Sequence, residues 1–380
     1  MNVLKDVRIL DLTQAHQGPM CTMFLADMGA EVIKIEPMWG DRTRFFPPLI
    51  KGTTSPYFVY LNRNKKGMTL NLKSEKGVAI FKELVKIGDV VVENYSPGTM
   101  ENEFGLGYDT LREVNPKIIL LSLSGFGQYG PYSRRRSFAP IAEAASGYTE
   151  LVRQRITPDG PPVGAPDAIG DTIPSLFGII GVLSALSYRE RVGHGQRIDI
   201  AQTDSMVAVL PSIIFHTLAG TTMTGASTKF RSTLQLSSIY KAKDGYVMVT
   251  VPGDMAERLA EAIGVETIER QEVVTEWVES KTRNEVIDLL VKARIPVASV
   301  NNLDEVINDP HILAREMIVE MDHPVVGKYK TPGFPIKFSE TPVKLGRTAP
   351  QLGQHNEEVL STLLAYSKDK ITKLKEEGVI

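Results

Sequence analysis

The chain has 380 residues, 42% hydrophobic and 23% charged, with a formal net charge of -2. That is the composition of a globular protein long enough for two domains, without a general basic footprint for nucleic acid or an anionic membrane. A single cysteine, Cys21, excludes an intrachain disulfide framework and fits a reducing compartment.

In chain order, the N-terminal MNVLKDVRILDLT lacks a signal-peptide apolar core and ends in a strand pattern. GPMCTMFLADMG reads as a loop opening a helix, with Pro19 near its first turn, and AEVIKIE as the next strand. The alternation continues with the strand GMTLNLK, the helix SEKGVAIFKELVKIG, the strand DVVVENY, the helix YDTLREVN and the strand KIILLSLSG. Such alternation is the signature of an α/β fold with a helix-covered parallel sheet. The run Leu176 to Leu186 is apolar on every side and is expected to be a buried helix. GHGQRIDIAQTDSMVAVL then supplies a turn, a strand and a helix.

The polar stretch LAGTTMTGASTKFRST is the best linker. Behind it, SIYKAKDGYVMVTV predicts a hairpin turning at Asp244 and Gly245, followed by helices near 255–264 and 282–293. The expected division is a large domain over 1–225, a small α+β domain over 226–315, and a return segment over 316–380 that completes the large domain and ends in the helix NEEVLSTLLAYS. No apolar run approaches the roughly 18 residues of a membrane span, so a cytoplasmic protein is expected.

The six histidines, His16, His194, His216, His311, His323 and His355, never fall at metal-site spacings, and no cysteine pair joins them, so no metal is assigned. The first β-α turn, TQAHQGPM, lacks G-x-G-x-x-G, although Glu36 stands where a ribose-binding acid would sit. Neither a G-x-S-x-G elbow nor a P-loop occurs. What remains is GAPDAIGDTIPSLFGIIGVLSAL, which sets Asp167 and Asp171 before an apolar helix, with Pro174 in its first turn. Asp171 has two readings. As an N-cap it would accept backbone N–H bonds in the positive end of the helix dipole, which favours its ionised form. As a nucleophile it would attack an activated acyl group. Gly170 before it would allow a thioester to approach, whereas Asp167 follows Pro166 in a turn and needs no further role.

The blocks LDLTQAHQGPMCTMFLADMGAEVIKIEPMWGDRTR, YLNRNKKGMTLNLKS, DVVVENYSPGTM, LSLSGFGQYGPY, VGAPDAIGDTIPSLFGIIGVLSALSYRERVGHGQRIDIAQTD, RIPVASVNNLDEVINDPHILARE and APQLGQHNEEVL cover most of the chain. Together they resemble the family III CoA-transferases, the group that includes formyl-CoA:oxalate and carnitine CoA-transferases. The resemblance implies a Rossmann-like large domain with an inserted small α+β domain, in two chains threaded through each other as an interlocked dimer. It implies Asp171 as the catalytic aspartate, carrying CoA as an aspartyl-CoA thioester between an acyl-CoA donor and a carboxylic acid acceptor. Contacts to coenzyme A are implied for His16 and Gln17, for Leu70, Asn71, Leu72 and Lys73, for Asn94, Tyr95 and Ser96, and for Arg136 and Phe138. Arg134 and Arg135 read as a solvated face.

Two basic positions of the family are missing, at Pro37 and across Asn102 and Glu103, which leaves Lys65, Lys66 or Arg44 to hold the CoA phosphates. The family's Gly-rich active-site loop is absent too, which argues against formate and oxalate. Family members suggest succinyl-CoA with a dicarboxylic or aromatic acid. Two alternatives stand beside this reading. One is a 2-methylacyl-CoA racemase of the same fold, although RRRSFAPIAEAASG lacks the histidine of its proton-transfer pair. The other is a silent chain paired with a homologous subunit.

Overall fold

The structure is a computed structural model describing residues 2–222, 236–252 and 255–380. Six strands, β1 (Arg8–Asp11), β2 (Glu31–Glu36), β3 (Lys66–Thr69), β4 (Val90–Glu93), β5 (Ile119–Ser124) and β6 (Arg197–Ala201), form one sheet. Every pair is parallel and the order is β3-β2-β1-β4-β5-β6. This is the doubly wound order whose direction reverses beside β1, so that a crevice opens beyond the carboxyl ends of β1 and β4. The strands are hydrophobic because both faces are covered. On one face Leu10, Ile33, Phe81, Leu84 and Leu120 pack with the C-terminal residues Val359, Leu360 and Leu374. On the other, Ile9, Val32, Val90 and Leu121 pack with Cys21, Leu25, Val182 and Ala185. Each fully buried Leu or Ile contributes about 1.5–3 kcal/mol of transfer free energy to these layers.

The sequence underestimates the length of the central helix. It runs Ile169–Val192, with Pro174 inside it rather than in its first turn. It is not buried all round either: Gly178, Val182 and Ala185 face the sheet, while Leu176 and Ile180 are 43% and 57% exposed. By length and composition it is apolar enough to cross a membrane, which a count of consecutive apolar residues misses because Gly and Ser interrupt them. One face packs on the Gln17–Asp27 helix and β5, giving it a place in the core of the sheet layer.

The chain divides into two compact units, Met1–Leu210 with Glu316–Ile380, and Pro211–Arg315. The expected boundary at 226 lies outside the described residues. In the second unit, β7 (Ser238–Ala242) and β8 (Gly245–Val249) form the hairpin, and β9 (Val297–Ser299) adds antiparallel to β8. Helices Ala256–Ile263, Gln271–Glu279 and Arg283–Lys292 close over Tyr240, Val247, Leu259, Val274 and Leu290. A capping box between Thr282 and Glu285 starts the last of them. In the first unit, β10 (Ile318–His323) and β11 (Gly327–Pro332) form a separate hairpin. Buried Arg63 joins it by donating to Pro332 O at 2.9 Å while pairing with Asp27 at 2.8 Å.

Candidate active site

The start of the long helix is built by residues distant in sequence. Asp167 and Ala168 both adopt left-handed backbone, at φ 60° and 49°, and the helix begins at Ile169. Asp171 is therefore its third residue and not its cap, contrary to the N-cap reading. The buried Glu143, on the helix Ala139–Ala145, takes that role by accepting the Gly170 N–H at 3.0 Å through Oε1. The space that Gly170 leaves is filled as well: a Cβ there would lie 2.5 Å from the Ala139 carbonyl oxygen. Glycine at 170 serves helix packing, not the approach of a thioester.

With capping taken over, the Asp171 carboxylate makes one hydrogen bond. Its Oδ1 accepts from Nε2 of Gln202, and no donor among the described residues reaches Oδ2. Gln202 opens the helix that follows β6 and is 4% exposed. Burial pushes Asp171 up to about 6, the Gln202 bond opposes this, and the nearby Glu143 adds to it. The dipole expected to keep the acid strongly ionised is outweighed by loss of water.

The loop after β1 is tied to the start of this helix. Asn94 pins it by accepting the Gln14 N–H at 2.8 Å and donating to the Gln14 carbonyl at 2.7 Å. Ala15 then turns through left-handed φ 67°, presenting His16 and Gln17. His16 Nδ1 lies 2.6 Å from the Tyr57 hydroxyl, and burial lowers the ring to about 4, so it is neutral at physiological pH. Tyr57 is raised to about 12 by burial and by the charge of Asp171. The Ser175 hydroxyl lies 2.7 Å from the carbonyls of both Gln17 and Asp171, joining loop to helix. Among the described residues, His16 Nε2, Gln17 Nε2 and Gln202 Oε1 are buried without a hydrogen-bond partner. Buried polar atoms in folded proteins almost always have partners, so these atoms are candidates for contact with a bound molecule.

Beneath this loop lies a different arrangement. Asp11 accepts from Thr13, Thr22 and Lys65, and Lys65 also donates to Pro19 O and Asn62 Oδ1 at 3.0 and 2.9 Å. Lys34 bridges Thr13 O and Asp41, both at 2.9 Å. Burial pulls Asp11 upward, but Lys65, Lys34 and the two hydroxyls outweigh it and hold the carboxyl below its ordinary range. The sequence-based substitutes for the missing arginines are thereby corrected. Lys65 is sealed in this network, Lys66 pairs with Glu31 and Glu358, and Arg44 grips Glu36 with two nitrogens. Glu36 likewise has no ribose-binding capacity left.

The remaining sequence-predicted contacts divide by exposure. Leu70 and Leu72 are core residues and turn no side chain outward. Asn71 spends its side-chain oxygen on the Lys73 N–H and its backbone N–H on Val379 O, at 3.1 and 2.8 Å, leaving exposed Lys73 as the free group of that segment. Asn94 is the loop clamp already described, Tyr95 packs edge-on against Phe104, and Ser96 is exposed. Arg136 is exposed and Phe138 is 65% exposed at the start of the helix that carries Glu143. Arg135 stacks on Tyr132 at 3.6 Å. Sequence reasoning missed Glu143, Gln202 and Tyr57, since only the folded chain brings them to Asp171.

The family model of "CoA-transferase family III" matches residues 4–356. The chain belongs to CoA-transferase family III. It is an enzyme that transfers CoA. The succinyl-CoA:glutarate CoA-transferase of Mus musculus is 35% identical over 401 residues, covering 100% of this chain and 91% of that protein. The succinyl-CoA:mesaconate CoA-transferase of Haloarcula marismortui is 36% identical over 386 residues, covering 95% and 96%. Among solved structures, a CAIB/BAIF family protein from Brucella suis superposes with a TM-score of 0.82 at 28% identity, covering 96% of this chain and 100% of that one. The CoA-transferase relatives act on thioesters of CoA, as their names state.

Proposed function

We propose that this chain moves CoA from succinyl-CoA to a dicarboxylic acid through Asp171. The observation that carries the reading is the division of labour at the long helix: Glu143 caps it, so that among the described residues Asp171 has one bonded oxygen and one without a donor, while the loop joined to that helix through Ser175 carries His16 and Gln17 with buried ring and amide nitrogens that no described residue satisfies. A carboxylate relieved of structural duty and stripped of water is a competent acyl nucleophile. The donor class follows from the succinyl-CoA named in both relatives, and the acceptor class from their glutarate and mesaconate, both dicarboxylates.

Asp171 Oδ2 attacks the donor's thioester carbonyl, the C–S bond breaks, and CoA leaves as the thiolate. The thiolate then adds to Cγ of Asp171 and expels the donor acid, giving an aspartyl-CoA thioester. The acceptor carboxylate displaces CoA by the reverse sequence and departs as the new thioester. Neutral His16 and Gln17 supply hydrogen bonds to substrate without adding charge. Of the contacts implied by resemblance, Lys73, Ser96, Arg136 and Phe138 are exposed and reach CoA, whereas Leu70, Asn71, Leu72, Asn94 and Tyr95 shape the segments that present them. Leu176 and Ile180, exposed on the long helix, support pairing of two chains, and the family's interlocked dimer is the form proposed.

Incubation with succinyl-CoA should leave a CoA adduct on the peptide containing Asp171, released by hydroxylamine as the hydroxamate. An adduct on Asp167, or none, overturns the reading. A mass-spectrometric screen of free acids identifies the acceptor, and complete inactivity until a homologous chain is added would replace the homodimer by a heteromer.

A further inference from the structure

Resting on Asp171 as nucleophile, we infer that Gln202 is a catalytic residue that stabilises the oxyanion formed on Asp171 itself. Two different carbons become tetrahedral during transfer. One is the substrate's carbonyl carbon. The other is Cγ of Asp171, which is attacked by the CoA thiolate in the donor half-reaction and by the acceptor carboxylate in the other. Since Oδ2 forms the anhydride bond and leaves with the donor acid, Oδ1 remains as the carbonyl oxygen of the aspartyl group. When the thiolate sulfur bonds to Cγ, the Cγ=Oδ1 electron pair moves onto Oδ1. As the tetrahedral species collapses, that pair returns, the Cγ–Oδ2 bond breaks, and the donor acid leaves as a carboxylate. No proton is consumed. Charge therefore develops on Oδ1, the atom to which Gln202 Nε2 already donates.

Three features of Gln202 suit it to this. It is the first residue of a helix that starts directly after β6, and the backbone N–H and hydroxyl of Thr203 both donate to the Gly125 carbonyl and hold that junction, so its position is fixed. Its amide is buried, where a donor is worth more than in water. Its Oε1 has no partner among the described residues, so there the amide is held by packing and its bond to Asp171. An amide retained in a core for stability would satisfy both ends. Removal of one oxyanion donor typically slows its step by about 10²–10³-fold.

The test separates the two carbons. Gln202→Met keeps the volume and removes the donor. Mixed with succinyl-CoA in the absence of acceptor, this variant should still release CoA and acquire a succinyl mass on the Asp171 peptide. Its conversion to the CoA adduct should slow by about 10²–10³-fold. A folded variant, with the wild-type melting temperature, that forms the CoA adduct at the wild-type rate overturns the inference. Absence of any adduct on wild-type Asp171 overturns the nucleophile reading instead, and this inference with it. Gln202→Glu supplies a readout that a structural role would not move. The introduced carboxyl donates only while protonated, so adduct formation should lose activity at high pH where the wild type does not. An unchanged pH profile counts against the oxyanion role.

Discussion

Two polar clusters lie side by side in the large unit and are built by opposite rules. Beneath the first loop, Asp11, Lys34, Asp41 and Lys65 are fully buried, and each charge meets two or more partners. On Gln202, which bonds Asp171, and on the loop joined to its helix, the groups are also buried, yet His16 Nε2, Gln17 Nε2 and Gln202 Oε1 meet none among the described residues. The first cluster is complete within the described residues; the second leaves polar atoms that, on the proposed reading, substrate would satisfy. Satisfied burial holds a loop in place, and unsatisfied burial stores an affinity that the protein alone cannot discharge.

Substitutions that exchange the two behaviours test the contrast. Asp171→Asn should lower transfer by about 10⁴-fold or more in a coupled assay, because an amide is a far poorer nucleophile, while Asp167→Asn keeps most of it. Comparable rates for the two variants would show that Asp171 is not the nucleophile. Asp11→Asn leaves Lys65 buried and short of its counter-charge, and should cost about 3–5 kcal/mol in urea unfolding.

Stability should move in the other direction at Asp171. Its pKa is raised to about 6 from an ordinary 3.8, so the folded state binds this proton more tightly than the unfolded chain does. Ionisation therefore destabilises the fold progressively as pH rises from about 4 to 6, by on the order of 2–3 kcal/mol at neutrality. Asp171→Asn should recover that amount at pH 7.5 and show no advantage below pH 4. Asp11, held low, contributes stability that is lost only as pH falls through the acid range. In kinetics the same Asp171 proton should slow adduct formation about tenfold per unit below pH 6, measured by rapid quench. Smallest of all, Lys73→Ala should raise the KM for acyl-CoA only about threefold, since one exposed charge on a phosphate contributes at most about 1 kcal/mol.

The sheet was legible because its evidence is local. Strand and helix patterns alternate, and the runs around Val90 to Val92 and Ile119 to Leu121 are hydrophobic on both faces, as central parallel strands must be. The long helix was legible in kind but not in extent, because Ile169 to Ser175 mixes Gly, Asp and Pro, and their helical state is fixed by Glu143 and by the packing of Ala139 on Gly170. The polar site was the least legible part. An acid before an apolar run carries the same sequence signal whether it caps a helix or attacks a substrate. The deciding residues, Glu143 and Gln202, stand 28 and 31 positions away (171 − 143 and 202 − 171). Likewise, nothing in NRNKK says that Lys65 points inward to Asp11 while Lys66 points outward to Glu31.

The inequality of the two Asp171 oxygens has an isotopic consequence. On the proposed route through Asp171, Oδ2 departs with the donor acid and its replacement arrives with the acceptor, so the carboxylate would be rebuilt with a foreign atom at every cycle. On that route the enzyme that emerges from a turnover would not be, atom for atom, the enzyme that entered it. Supplied with ¹⁸O-labelled acceptor, a resting preparation should carry heavy oxygen in one peptide, and Gln202, by keeping hold of Oδ1, makes the other oxygen of that carboxylate the part that is renewed.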